Sequence, residues 1–162
     1  MTGLETFDAT TITPDAANRL WERVRRQEIC FDDFSRDNMD LFAQRLSAPT
    51  TAAFLYKDAA LVTAEQIVPR LNAYLHFFLW DHSLSESEMA MAGRRIARDV
   101  IDMFQLHRLT ALPPAFNKHA CRIATRVGFR YEGLMKGAFL YKDHYHDVEI
   151  RGLMAEDLRR LM

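Results

Sequence analysis

Apolar positions recur along the chain with two different periods, and the changes of period mark its elements. Leu4 to Phe7 has the length of a short strand. Thr13-Pro14 reads as an N-cap followed by proline at the first helical position, and Leu20, Trp21 and Val24 give the helix behind it one apolar side. A second helix is expected from about Arg36 to Leu46, with Leu41, Phe42 and Leu46 inward and Pro49 as its stop. Thr51 to Tyr56 and Ala59 to Val68 then read as strands around a tight turn at Lys57-Asp58. Asn72 to Trp80, NAYLHFFLW, is almost continuously apolar, which predicts a central strand buried on both faces.

Ser83-Leu84-Ser85-Glu86-Ser87-Glu88 holds overlapping Ser-x-x-Glu capping boxes. In the helix that follows, Met89, Gly93, Ile96, Ala97, Val100, Ile101 and Phe104 recur at helical spacing, with Arg94, Arg95, Arg98, Asp99 and Asp102 on the other side. Arg108 to Leu112 is a short strand halted by Pro113-Pro114. Asn117 can cap a fourth helix with Ala120, Ile123, Ala124 and Val127 inward, and Gly128 stands where a helix closes on a left-handed residue. Two long strands, about Phe129 to Lys142 and Tyr145 to Met154, meet near Asp143-His144. The order is β-α-α-β-β-β-α-β-α-β-β. It predicts an α/β (α+β) fold: a mixed, mostly antiparallel sheet of six to seven strands with about four helices on both faces. No repeat or linker interrupts it, so residues 1–162 are expected to form one domain.

Composition narrows function more than fold. With 49% hydrophobic and 27% charged residues, disorder is excluded. A balance of 21 basic against 22 acidic residues gives no electrostatic case for nucleic acid or an anionic membrane. No apolar run has membrane-spanning length, and the opening MTGLETFDATT has no basic or apolar leader pattern, so a cytoplasmic protein is expected. Cys30 and Cys121 make neither a disulfide framework nor a zinc set, and Cys121 reads as a small buried residue. His144 and His146 share a strand face beside Asp147 but lack a third convergent ligand, so no metal is expected.

The segment Leu106 to Met154 carries a resemblance. Asn117 at a helix start, Ala120 three residues on, Gly128-Phe129, Glu132-Gly133 and Asp147 after the last hairpin together resemble the GCN5-related N-acetyltransferase family, most of all its ribosomal-protein N-terminal acetyltransferase branch. The first 70 residues are similar in element order only. The resemblance implies that the fourth and fifth strands splay apart and that the pantetheine arm of acetyl-CoA lies between them. It also implies that fourth-strand backbone, out to Leu79, meets the arm and polarises the thioester carbonyl, and that the pyrophosphate rests on amides at the start of the third helix.

The family's pyrophosphate loop, Gln/Arg-x-x-Gly-x-Gly/Ala, is absent as a string. Two registers compete: His82 to Ser87, directly after the strand and on the capping boxes, and Ala90 to Arg95, which uses Gly93. The first is preferred. It makes Asp81, His82, Ser85, Ser87 and Glu88 the loop residues, with serines in place of both glycines and with Glu86 and Glu88 bringing negative charge to an anion site. Asn117 is expected on the pantetheine arm as well as at the helix cap, and Arg122 within reach of the ribose phosphate. The family's usual acid positions, a tyrosine seven residues after the Asn and a serine three after it, are Ala124 and Ala120 here.

Candidate chemistry then rests on other side chains. His76 shares a strand face with Tyr74, Phe78 and Trp80 and is a candidate general base; Glu65 is a second candidate. Tyr141 is the candidate acid, with Tyr131 and Tyr145 as alternatives. The expected reaction is direct attack of a neutral primary amine (a small molecule, a protein N-terminus or a lysine) on the thioester of acetyl-CoA. A catalytically inactive module that has kept the fold and lost the acyl-CoA site is the alternative. Edge strands permit a homodimer without demanding one.

Overall fold

The computed structural model describes residues 4–7, as backbone, and 12–162, so the leader reading at the amino terminus falls mostly outside the described residues. In chain order the elements are β1 (Leu4–Phe7), α1 (Pro14–Val24), a 3-10 turn (Glu28–Cys30), α2 (Met39–Leu46), β2 (Ala52–Tyr56), β3 (Ala60–Val68), β4 (Asn72–Leu79), α3 (Glu86–Phe104), β5 (Arg108–Ala111), α4 (Lys118–Val127), β6 (Arg130–Tyr141), β7 (His144–Met154) and α5 (Ala155–Arg160). The seven strands form one sheet in the order β1-β2-β3-β4-β5-β7-β6, antiparallel throughout except between β4 and β5. The mixed sheet and its element order agree with the sequence reading. The short α5, AEDLRR, is additional, because six residues are too few to display a helical period.

Local chemistry sets the element ends. Thr13 caps α1 through Ala16 N, with Pro14 at the first helical position. α2 starts at Met39, later than the periodicity suggests, because Asp37 is left-handed (φ 59°) and the Asn38 side chain accepts from Leu41 N. Lys57-Asp58 and Lys142-Asp143 both have positive φ at both positions, the twist that suits two-residue hairpin loops. α4 runs from its Asn117 cap to Gly128 at φ 123°.

Alternation along the strands divides the core into two layers. On one face α1 and α2 bring Leu20, Trp21, Val24, Phe42 and Leu46 against Ala53, Leu61 and Phe78. On the other face α3, α4 and α5 bring Ile96, Val100, Ile123, Val127 and Leu158 against Phe54, Val62, Ala73 and Leu109. Each fully buried large side chain contributes roughly 1.5–3 kcal/mol relative to exposure. Among the described residues no helix is long and apolar enough to cross a membrane.

β4 departs from the sequence expectation. Only Ala73 and Phe78 of the strand are buried; its other residues keep intermediate exposure. The cause is topological. β4 pairs with β3 from end to end, Val68↔Asn72 through Ala60↔Leu79, but with β5 only at Asn72↔Arg108, Ala73↔Leu109 and Tyr74↔Thr110. Beyond Tyr74 the neighbour turns away: β5 ends at Ala111, and Pro113 and Pro114 follow β7 instead, with Glu149 N bonded to Pro113 O and Ala115 N to Asp147 O. The aromatic run therefore borders an opening, in line with the splay of the fourth and fifth strands that the resemblance implies, and is not buried on both faces.

Candidate active site

The backbone of β4 shows what faces that opening. Arg108 N donates to Leu71 O on the β5 side, whereas Trp80 N donates to Ala59 O on the β3 side. The bulge that shifts the β3–β4 register lies in β3, at Gln66 (φ 50°), so alternation holds through β4. The peptide groups of Leu75, Phe77 and Leu79 thus point into the gap. They offer a ladder about 13 Å long, at about 3.3 Å per residue. Its closed end is stapled by a side-chain bond, Thr110 Oγ1 donating to Asn72 Oδ1 at 2.9 Å, while Arg108 Nη2 ties β5 to β6 through Glu132 at 2.7 Å. Its open end is the start of α3.

On the α1–α2 face, at the point where pairing stops, stand both candidate bases. Glu65 Oε2 accepts from Arg45 Nε (2.9 Å) and Nη2 (2.7 Å), and Oε1 accepts from Thr63 Oγ1 (2.8 Å). His76 Nε2 lies 4.0 Å from the same Oε2, too far for a hydrogen bond, and its side chain is 34% exposed. Burial holds the His76 imidazole below its ordinary range; the Glu65 charge opposes that shift and the Arg45 charge adds to it. His76 is consequently neutral at neutral pH, with a free lone pair, while Glu65 has its oxygens committed to three donors. Cys30 places its Sγ 3.9 Å from Phe77 O, and burial pushes that thiol up to about 12, so it stays protonated.

The other bank is aromatic. Phe116 stacks on Tyr141 (5.4 Å between centroids) and touches the His146 ring at 4.4 Å, with Phe139 alongside. Arg36 and Lys142 lie over the Tyr141 ring at 5.7 and 5.1 Å. Tyr141 is thus packed with these neighbours and touches neither Glu65 nor His76. The α1–α2 loop is fastened to the same hairpin by Asp33, whose carboxylate accepts from Lys142 N (2.9 Å) and Asp143 N (2.8 Å). Those amides, Asp143 first, and Arg36 hold the Asp33 carboxyl below the usual carboxylate range.

At the open end Ser85 and Glu88 form a full capping box: Glu88 N donates to Ser85 Oγ (3.2 Å), and Ser85 N donates to Glu88 Oε2 (2.9 Å). The box engages two amides of the loop and leaves those of Glu86 and Ser87 in the first turn. Asp81 Oδ1 accepts from Ser83 N at 2.9 Å, and His82 is exposed in the turn. Glu86 reaches across to α4, where Arg122 Nε and Nη2 (3.2 and 3.1 Å), Arg126 Nε (3.0 Å) and His119 Nδ1 (3.7 Å) surround its carboxylate. The Arg122 hydrogen bond, then the charges of Arg122, Arg126 and His119, hold Glu86 below its ordinary range. Arg122 is thereby tied to a carboxylate of the loop itself. Gly93 lies within α3 where a Cβ would sit 2.6 Å from Val127 Cγ2, so it serves the α3–α4 contact, whereas His82 to Ser85 form the turn that leads into the helix.

Motif residues outside the gap have structural duties. Asn117 Oδ1 accepts from Ala120 N (3.1 Å), Glu132 pairs with Arg108, and Asp147 accepts from Gly137 N (2.9 Å) and Lys136 Nζ (3.1 Å) at an irregular stretch of β6. Sequence reasoning missed Arg45, Thr63, Asp33 and Phe116. Thr63 and Glu65 had a readable signal, two polar residues on one side of an otherwise apolar strand, and Arg45 sits one turn from Leu41 and Phe42 on the inward side of α2.

No family model and no curated protein sequence matches the chain. Solved structures do. A spermidine N-acetyltransferase from Vibrio cholerae in complex with CoA and spermine superposes with a TM-score of 0.74 at 13% identity, covering 97% of this chain and 98% of that one. A ribosomal L7/L12 α-N-protein acetyltransferase in complex with coenzyme A gives 0.73 at 16%, covering 97% of each chain. A ribosomal-protein-S5-alanine acetyltransferase from Vibrio fischeri gives 0.69 at 16%, covering 98% and 96%. With the splayed β4–β5 pair and the strand order already described, this likeness over nearly the whole length establishes that the chain has the fold of the GCN5-related N-acetyltransferases.

Proposed function

We propose that the chain is an acyl-CoA-dependent N-acetyltransferase that moves an acetyl group from acetyl-CoA to a primary amine. The observation that carries this reading is the pairing of β4: continuous with β3, limited to three residues with β5. The peptide groups of Leu75, Phe77 and Leu79 offer an extended amide-bearing chain the partners that a β-strand would otherwise supply, and the Glu86 and Ser87 amides lie at the end where its diphosphate belongs. The thioester then lies toward the closed end, near His76. There the amine nitrogen forms the new C–N bond, the C–S bond breaks, the His76 imidazole takes the amine proton, and CoA leaves as the thiolate without a dedicated side-chain acid, as a thiol of pKa about 8.5 can. The similar structures carry spermine or are named for ribosomal proteins; for this chain the acceptor class proposed is a primary amine, small or protein-borne.

A second reading, a module that keeps the fold without acyl-CoA, draws on the Ser85–Glu88 box and on Glu86, which place carboxylates where a diphosphate would lie. Calorimetry separates the two. Acetyl-CoA at 100 times its Kd should stabilise the protein by about 2.7 kcal/mol, and thiol release should appear with a polyamine, a lysine peptide or an N-terminal peptide as acceptor. A melting temperature unmoved at millimolar acetyl-CoA would eliminate the transferase reading.

Glu86 gives a second expectation. It neutralises Arg122 and Arg126 and repels phosphate, so Glu86→Gln should tighten CoA binding several-fold by freeing those cations. Isothermal titration of both proteins at low salt measures it, and weaker binding by the variant would contradict the placement of the diphosphate.

A further inference from the structure

We propose that Arg45 is a positioning residue of this site: by pinning Glu65 in a two-point contact it keeps that carboxylate off the His76 ring until a proton arrives there. The inference rests on the reading of His76 as the proton acceptor. Four distances carry it. Arg45 holds Glu65 Oε2 through Nε and Nη2 at 2.9 and 2.7 Å, Thr63 holds Oε1 at 2.8 Å, and His76 Nε2 stands at 4.0 Å from Oε2. Glu65 is buried and Thr63 almost fully so, and the pair sits on a rigid strand beneath α2. The carboxylate is therefore one small movement from His76 and is restrained from making it.

The charged groups that face His76 are Glu65 from β3 and Arg45 from α2. A free carboxylate at this range would favour the imidazolium and draw His76 into a standing ion pair, which cannot accept a proton from the amine. Burial keeps the ring neutral in the resting protein, and Arg45 adds to that by its own charge and by holding the carboxylate away. Once the ring is protonated, Glu65 lies close enough to stabilise the cation. Arg45 thus separates two uses of one carboxylate.

The test is a histidine titration. In Arg45→Gln the His76 imidazole, followed by two-dimensional proton–nitrogen NMR and assigned by its loss in His76→Gln, should protonate about one pH unit or more higher than in the wild type. Arg45→Lys, which keeps the charge and loses the fork, should move it less. Arg45→Gln combined with Glu65→Gln should bring it back to the wild-type value or below, which a general loosening of the site would not do. The acid limb of kcat/KM should follow the same shift, with activity recovered at alkaline pH and the Kd for acetyl-CoA unchanged. An unmoved His76 midpoint in folded Arg45→Gln overturns the proposal, as does an equal shift in Arg45→Lys. A midpoint that moves in a protein with no acetyl transfer overturns the transferase reading and leaves the Arg45–Glu65–His76 coupling established.

Discussion

Replacing His76 with alanine should lower turnover on an amine acceptor by about 10²- to 10⁴-fold, the usual worth of a positioned general base, and should leave acetyl-CoA affinity unchanged. The split follows from placement. His76 lies on the α1–α2 face of β4, while the peptide groups that would hold the pantetheine arm are those of Leu75, Phe77 and Leu79, whose side chains face the α3 layer. Removing an imidazole from one face therefore leaves the backbone ladder intact. A ring below its ordinary range and 34% exposed suits an acceptor that must be neutral and must reach an incoming amine. Its protonated form accumulates only in acid, so the kcat/KM profile should fall on the acid side at a pH below 6.5, the ordinary histidine value. Glu65→Gln should show a different pattern. It leaves the proton acceptor in place and removes the stabiliser of the cation, so kcat should drop less than in His76→Ala. If His76→Ala retained full turnover while Glu65→Gln lost it, the base would be Glu65. Its existing bonds to Arg45 and Thr63 argue against that outcome, since both carboxylate oxygens are already held by donors.

The parts of this site that the sequence displays are those made within one turn or one strand. Ser85 and Glu88 are three residues apart and bond each other; Asn117 and Gly128 bracket their own helix; the alternation of Tyr74, His76, Phe78 and Trp80 places them on one face. What decides the chemistry is contributed from far along the chain. NAYLHFFLW reads as a strand enclosed on both sides because nothing in it says that β5 will leave after Thr110; the departure is caused by Pro113 and Pro114 committing to β7. Glu86 looks like a liability in an anion loop until α4 brings Arg122 and Arg126 to it from 36 and 40 positions away. Arg45 is 20 positions from Glu65, and Asp33 is 110 from the amide of Asp143 that it caps. Periodicity reveals which face a side chain occupies; the partner it meets there is set by sheet order, which no local pattern carries.

Gly152→Ala should destabilise the protein by about 1–3 kcal/mol, a fall in Tm of roughly 3–10 °C for a chain of this size. Gly152 needs no unusual backbone: it pairs with Thr110 on one side and Arg130 on the other in ordinary ladder positions. It is required for space. A Cβ there would overlap the Glu132 carboxylate and lie 2.5 Å from Arg108 Nη2, so the ion pair that crosses over Gly152 from β5 to β6 would have to open. Arg108 Nη2 also reaches Thr110 Oγ1 at 3.4 Å, and Thr110 holds Asn72, so the disturbance runs into the staple at the closed end of the β4–β5 gap. The variant should accordingly lose acetyl-CoA affinity beyond what its reduced stability accounts for. A double-mutant cycle isolates the cause. In a Glu132→Ala background the obstructing carboxylate is gone, so adding Gly152→Ala should cost markedly less, with a coupling of about 0.5–3 kcal/mol between the two sites. Additive effects would mean that the glycine is there for some reason other than the bridge above it, and the staple would lose its connection to the width of the gap.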